Sequence, residues 1–189
     1  MKAQFSFRFI KSRNLLLAGL TALITSVLAQ PVLPVFAADK SVDQRTYSDY
    51  TNNKYYLVFC ARGGSSTGHA FVVWGIQDSG RGTSTYKAFG FYPSQGTGAF
   101  GQVPGQIRNE AFSGKMNKIT DRLIVQVDKA VYDRTQRAIS EWRTTNYDLF
   151  STNCINFVMS VARDAGLRVP QRDSTTFPSD YVQALINAN

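Results

Sequence analysis

The sequence predicts an α+β fold in which a small antiparallel sheet has helices beside it. Three apolar segments rich in β-branched and aromatic residues follow one another within residues 54–92, separated by short polar loops. A fourth apolar segment spans residues 121–127, and segments with helical spacing of apolar residues follow it. Strands in the first half and helices in the second half are typical of the α+β class.

The N-terminal segment has the layout of a secretory signal peptide. A basic leader, MKAQFSFRFIKSRN, precedes an uncharged apolar run at 15–29, and a cleavage-like Val-Phe-Ala pattern follows at 35–37. A membrane anchor is the less favoured alternative, because the run is short for a bilayer span. We expect residues 1–38 to be a signal peptide and the mature protein to be secreted or periplasmic, with no stable membrane anchor after cleavage.

The charge balance excludes a nucleic-acid partner. The whole chain is +8, with 21 basic and 13 acidic residues. Without the four leader cations, 17 basic and 13 acidic residues remain, so the mature charge is +4. This value suits an anionic cell wall, but we find neither a Lys/Arg cluster nor a nucleic-acid motif. We expect a polar lead-in over 39–53, a single domain over 54–189 and a monomer.

The strands of the predicted sheet come first in the domain. KYYLVFCAR (54–62), HAFVVWGIQ (69–77) and TYKAFGFY (85–92) are rich in strand-forming residues and are joined by short loops, which predicts an antiparallel meander. The glycine-containing stretch 93–118, with two prolines, is predicted to be a long irregular loop, a kind of segment that is often functional. DRLIVQV (121–127) is the next strand.

The helices follow the last of these strands. Asp128 is placed to cap a helix that starts at Lys129 and continues through KAVYDRTQRAISEWRTT. NCINFVMSVARDAG predicts a second helix that starts at Cys154 and stops at Gly166. FPSDYVQALINA predicts a last helix, opened by Pro178.

Two cysteines and one histidine are the candidates for chemistry. In an exported protein, Cys60 and Cys154 could form a disulfide. Their settings differ, since Cys60 lies inside an apolar strand whereas Cys154 lies at a helix N-terminus, where the free N–H groups favour a thiolate. A nucleophilic thiolate needs a base, and His69, at the start of a strand after a glycine-rich loop, is the one histidine in the chain.

The motifs GHAFVVWG and, much later, NCINFV resemble the circularly permuted branch of the papain-like thiol hydrolase superfamily, in which the histidine strand precedes the cysteine helix. The lecithin retinol acyltransferase group shares this order and a similar Asn-Cys-x-x-Phe signature, and bacterial relatives include peptidases akin to cell-wall cysteine endopeptidases. The resemblance covers residues 55–170. It implies a permuted papain-like domain with Cys154 as nucleophile and His69 as base.

The same resemblance implies a polar residue that holds the histidine ring, often on the strand after the histidine strand. If the 78–84 turn is centred on position 81, His69 lies opposite position 93, and the nearby polar residues are Tyr92, Ser94 and Gln95. None of these is a carboxylate or a second histidine. Tyr92 or Gln95 could fix the ring tautomer, but Tyr92 could equally be a core residue and Gln95 a plain loop residue.

Asn153 has two interpretations. It could cap the helix that starts at Cys154, which we favour, or its side chain could join the Cys154 backbone N–H as an oxyanion donor. No metal-ligand cluster and no phosphate loop is present in the sequence, so no cofactor and no metal are expected.

Three functions remain open at this point. We favour a thiol hydrolase that cleaves a peptide or amide, with peptidoglycan peptides as the leading example. The second is a lipid or thioester acyl hydrolase or acyltransferase with the same site. The third is a noncatalytic exported binding module with a Cys60–Cys154 disulfide.

Overall fold

The computed structural model describes residues 38–46, 52–63, 67–95 and 101–189. Within them the strands are β1 (Ala38–Asp43), β2 (Asn53–Arg62), β3 (His69–Asp78), β4 (Thr83–Pro93), β5 (Val103–Asn109), β6 (Ile119–Val127) and β7 (Asn146–Tyr147). The helices are α1 (Lys129–Thr135), α2 (Arg137–Glu141), α3 (Cys154–Asp164) and α4 (Pro178–Ala188). Short 3₁₀ turns span Glu110–Phe112, Met116–Lys118 and Trp142–Thr144. The α+β class is confirmed.

The described strands form a seven-stranded sheet in the order β1-β6-β2-β3-β4-β5-β7. Strands β2, β3 and β4 pair antiparallel in succession, which confirms the predicted meander. The sheet is larger than expected and is mixed, because β1 pairs with β6 in parallel. Strand β6 pairs with β2 and therefore lies on the far side of the meander from β5.

The two faces of the sheet are buried to different extents. The main core joins one face to the helices, and its fully buried members include Leu57, Trp74, Phe157 and Leu185. A smaller cluster on the opposite face contains Cys60, Phe71, Val73 and Ala88. Because side chains alternate between faces along a strand, residues 60 and 62 share a face, as do 69, 71 and 73.

Two segments that we expected to lack regular structure form strands. The lead-in 39–53 was expected to be loose, but residues 38–43 form β1, where Asp39 is paired with Arg122 at 2.5 Å. The stretch 93–118 was expected to be an irregular loop, but it contains β5, which pairs with β4. The predicted signal peptide lies almost wholly outside the described residues.

The predicted helix after Asp128 is broken rather than continuous. It consists of α1, α2 and a 3₁₀ turn, with Gln136 between the first two. Asp128 stands at the N-cap position, although its Oδ2 accepts from the Thr46 hydroxyl at 2.6 Å instead of from the helix. Helices α3 and α4 begin at the predicted residues, Cys154 and Pro178. None of the helices in the described ranges is long and apolar enough to cross a membrane.

Candidate active site

Cys154 is the first residue of α3, and Asn153 caps this helix. The Asn153 side chain accepts from the Ile155 N–H at 2.9 Å and donates to the Leu149 carbonyl at 2.6 Å. The Asn156 side chain reaches back to accept from the Asn153 backbone N–H at 3.0 Å. The cap therefore uses the side-chain oxygen of Asn153 and one of its two amide N–H groups.

The Cys154 sulfur lies where β3 and β4 separate. The ladder between these strands ends at the pair Val72 and Phe89, three residues short of His69. Helix α3 contacts both strands, and the backbone N–H of Ala70 lies near enough to the Cys154 sulfur to lower the pKa of the thiol. Because β3 and β4 are no longer paired at this point, Cys154, from the face of the sheet that carries the helices, can contact His69, whose side chain lies on the opposite face.

The side chains of Cys154 and His69 interact directly, and both are buried, with 6% and 7% of the residue exposed. Burial raises the pKa of the Cys154 thiol, but the positive charge of His69 and the nearby backbone N–H groups outweigh it, and the pKa falls below its usual range. Burial lowers the pKa of His69, but Cys154 and Glu110 raise it further, so the net shift is upward. These opposite shifts favour a thiolate–imidazolium pair.

The far side of the His69 ring faces a carboxylate that the sequence analysis did not identify. His69 Nε2 lies 3.1 Å from Glu110 Oε1, and the Glu110 side chain is 1% exposed. This is an ion-pair distance, but the ring N–H is not aimed well enough for a hydrogen bond. Because Nε2 faces Glu110, Nδ1 is the ring nitrogen left for Cys154. The three side chains therefore form a thiol–imidazole–carboxylate series.

Two more side chains hold Glu110. Arg62 Nη1 donates to Glu110 Oε2 at 2.5 Å, and the Tyr92 hydroxyl donates to Oε1 at 2.5 Å. Arg62 Nη2 also donates to the Tyr92 oxygen at 2.5 Å, which closes a ring of three groups. Burial raises the pKa of Glu110, but contacts with His69, Tyr92 and Arg62 lower it to about 2, so the carboxylate is ionised.

Gly90 on β4 makes room for this arrangement. A Cβ built at this position would overlap both His69 Nε2 and Glu110 Oε1. Glu110 comes from the turn after β5, whose residue Arg108 pairs with Gly90. The carboxylate can therefore reach over β4 to the histidine only because residue 90 has no side chain.

The structure places the predicted ring-holding residues differently. The Tyr92 ring stacks on His69 with centroids 4.1 Å apart, but its hydroxyl binds Glu110 rather than the imidazole. Gln95 is exposed beyond the end of β4 and takes part in none of the side-chain hydrogen bonds among the described residues. The two cysteines are free and lie in clusters on opposite faces of the sheet, so the Cys60–Cys154 disulfide is wrong for this structure.

No protein-family model matches the chain, and no curated protein sequence matches it. One solved structure that resembles it is the type VI secretion system effector TseH, with 16% identity and a TM-score of 0.49 over 71% of this chain and 88% of that one. No group of three or more potential metal ligands occurs among the residues that the structure describes. The role of the site therefore depends on its own geometry.

Proposed function

We propose that the protein is a thiol hydrolase in which Cys154 is the nucleophile, His69 the acid and base, and Glu110 the carboxylate that orients and charges the imidazole. The observation that carries this proposal is the buried pairing of Cys154 and His69 at the start of α3, with Glu110 Oε1 3.1 Å from His69 Nε2. A helix N-terminus, an imidazolium and the nearby backbone N–H of Ala70 all stabilise a thiolate there.

The reaction has two halves. The Cys154 thiolate attacks the substrate carbonyl carbon, and His69 gives its proton to the leaving group as the bond to the carbonyl breaks. This leaves a thioester on Cys154 and a neutral imidazole. His69 then takes a proton from water as the water attacks the thioester, which releases the acid and restores the ion pair.

The tetrahedral intermediates need donors for the oxyanion. The backbone N–H of Cys154, at the first position of α3, has no acceptor among the described residues. It is aligned with the helix dipole, which favours negative charge at this end of the helix. Asn153 is not proposed as a donor, because its amide is held by the cap.

We favour a peptide or amide as the substrate, with peptidoglycan stem peptides as the leading example. The signal-peptide layout, the mature charge of +4 and the resemblance to cell-wall cysteine peptidases support this choice. The permuted papain-like order, with the histidine strand before the cysteine helix, belongs to the same proposal. A secreted or periplasmic location is part of it as well.

A lipid or thioester acyl group is the second candidate, and two exposed phenylalanines favour it. Phe112, 87% exposed, lies two residues after Glu110, and Phe150, 51% exposed, lies four residues before Cys154. Exposed aromatic side chains close in sequence to the catalytic residues would suit an apolar substrate.

The test is product analysis by mass spectrometry. The mature protein is incubated separately with muropeptides and with an acyl thioester, and each reaction is repeated with Cys154→Ala and Cys60→Ala. We expect new amine ends in the muropeptides, lost in Cys154→Ala and kept in Cys60→Ala. Cleavage of the thioester alone would favour the second candidate. Equal products from wild type and Cys154→Ala would overturn the hydrolase proposal.

A further inference from the structure

Arg62 is a buried cation for which the reaction above has no direct use. Its side chain is 8% exposed, and its guanidinium lies 5.5 Å from the centre of the Phe71 ring. Burying a charge is costly unless a partner compensates it, and the partners here are the Glu110 carboxylate and the Tyr92 hydroxyl. An arginine bridging these two groups binds directly to the residues that surround His69.

The charges of the site balance only when Arg62 is counted. A Cys154 thiolate, a His69 imidazolium and a Glu110 carboxylate together carry one net negative charge. Two anions would then share one imidazolium in a place with little water, where like charges raise each other's pKa. The Arg62 guanidinium brings the sum to zero.

We propose that Arg62 is a positioning residue that neutralises Glu110, so that the thiolate and the carboxylate can stay ionised on the two sides of one imidazolium. Its planar fork also fixes the Glu110 carboxylate and the Tyr92 ring against His69. This inference rests on the proposed thiol hydrolase function and extends it to the charge state of the site.

The sign of the effect follows from the groups that face His69. These are Arg62 on β2, Tyr92 on β4, Glu110 after β5 and Cys154 on α3. Removing the Arg62 charge leaves Glu110 uncompensated, so the excess negative charge disfavours the thiolate and favours the imidazolium. The pKa values of Cys154 and His69 should therefore both rise.

Arg108 provides a matched control for loss of positive charge. Arg108 is an exposed residue of β5, and its guanidinium lies 5.2 Å from the centre of the Tyr92 ring. Unlike Arg62, it forms no ion pair with the Glu110 carboxylate in the part of the chain that the structure describes. If simple loss of one positive charge near the site were enough, Arg108→Gln and Arg62→Gln would have similar effects. Our inference predicts that they differ.

The experiment measures the rate of Cys154 alkylation by iodoacetamide against pH, in a Cys60→Ala background, and needs no substrate. We expect Arg62→Gln to raise the thiolate pKa by about 1 unit, whereas Arg62→Lys, which keeps the charge, and Arg108→Gln shift it by less than ~0.3 unit. Arg62→Gln leaves Glu110 buried without its cation and could unfold the protein. The double variant Arg62→Gln/Glu110→Gln removes both charges, and we expect its thiolate pKa to return to within ~0.3 unit of wild type.

The outcomes separate this inference from the proposed function. A wild-type Cys154 that titrates as an ordinary thiol would overturn the proposed function and, with it, the role of Arg62. A wild-type thiolate of low pKa that is unchanged in Arg62→Gln would overturn the Arg62 inference alone. If only the double variant folds, a thiolate pKa raised by a full unit in that variant would overturn the inference, because no charge is then left uncompensated.

Discussion

Substitution of Gly90 by alanine should disable the site while leaving most of the fold intact. The added Cβ would overlap His69 Nε2 and Glu110 Oε1, so the ring and the carboxylate must both move away from β4. Overpacking of this kind costs about 1–3 kcal/mol of unfolding free energy. The more specific consequence is that His69 loses its alignment with Cys154.

The size of the effect on Cys154 can be worked from its ionisation. A thiol with the ordinary pKa of about 8.5 is only about 1% ionised at pH ~6.5, so loss of the ion pair would lower the thiolate fraction up to ~100-fold. The greater intrinsic nucleophilicity of a more basic thiolate returns about threefold per unit of pKa, which is more than tenfold for a loss of that size. We therefore expect Cys154 in Gly90→Ala to be alkylated about fivefold more slowly at that pH.

Gly75 on β3 supplies the control for this experiment. A Cβ at Gly75 would meet Tyr56 Cβ at 3.8 Å and the Thr85 carbonyl oxygen at 3.9 Å, which are ordinary contacts. The unfolding free energy of Gly75→Ala in urea should therefore lie within about 1 kcal/mol of the wild-type value. Its Cys154 should be alkylated at the wild-type rate. Equal alkylation rates in Gly90→Ala and wild type would refute the proposed packing of His69 and Glu110 over this glycine.

Three further substitutions test other parts of the account. Glu110→Gln removes the carboxylate that raises the pKa of His69. The apparent pKa at which activity is lost as the pH rises should therefore fall by about 1 unit. An unchanged apparent pKa would argue against the His69–Glu110 contact. Asn153→Ala removes the cap of α3 and should lower the unfolding free energy in urea by about 1 kcal/mol, whereas no change would contradict the cap. Cys60→Ala should leave Cys154 reactivity intact, since Cys60 lies on the opposite face and burial raises its thiol pKa. A dependence of wild-type stability on reducing agent would instead point to a disulfide.

Much of the sheet could be predicted from the sequence, and so could the candidate catalytic residues Cys154 and His69. Apolar runs bounded by polar turns identify β2, β3 and β4, and Asn153 before an apolar helical pattern identifies the start of α3. Strand β5 could not be predicted in this way, because Pro104 and Gly105 are typical of loops. In the structure Gly105 is required in the strand, since the Phe91 ring occupies the place where a Cβ would be.

Glu110 could not be found from sequence spacing for a related reason. Hairpin geometry predicts that the partner of His69 comes from the adjacent strand, with position 93 opposite the histidine. The observed register would place position 92 there if the ladder continued, but pairing stops at Val72 and Phe89. The carboxylate comes instead from the turn after β5 and crosses β4 above Gly90. This contact depends on the register between β3 and β4 and on that between β4 and β5.

The central claim is that Cys154 and His69 form a thiolate–imidazolium pair, and titration of Cys154 tests it most directly. The thiolate absorbance of Cys60→Ala is followed against pH, with and without His69→Gln. We expect a thiolate pKa well below ~8.5 that rises toward this value when His69 is replaced. A Cys154 that titrates near ~8.5 in both proteins would contradict the pair and the function proposed from it.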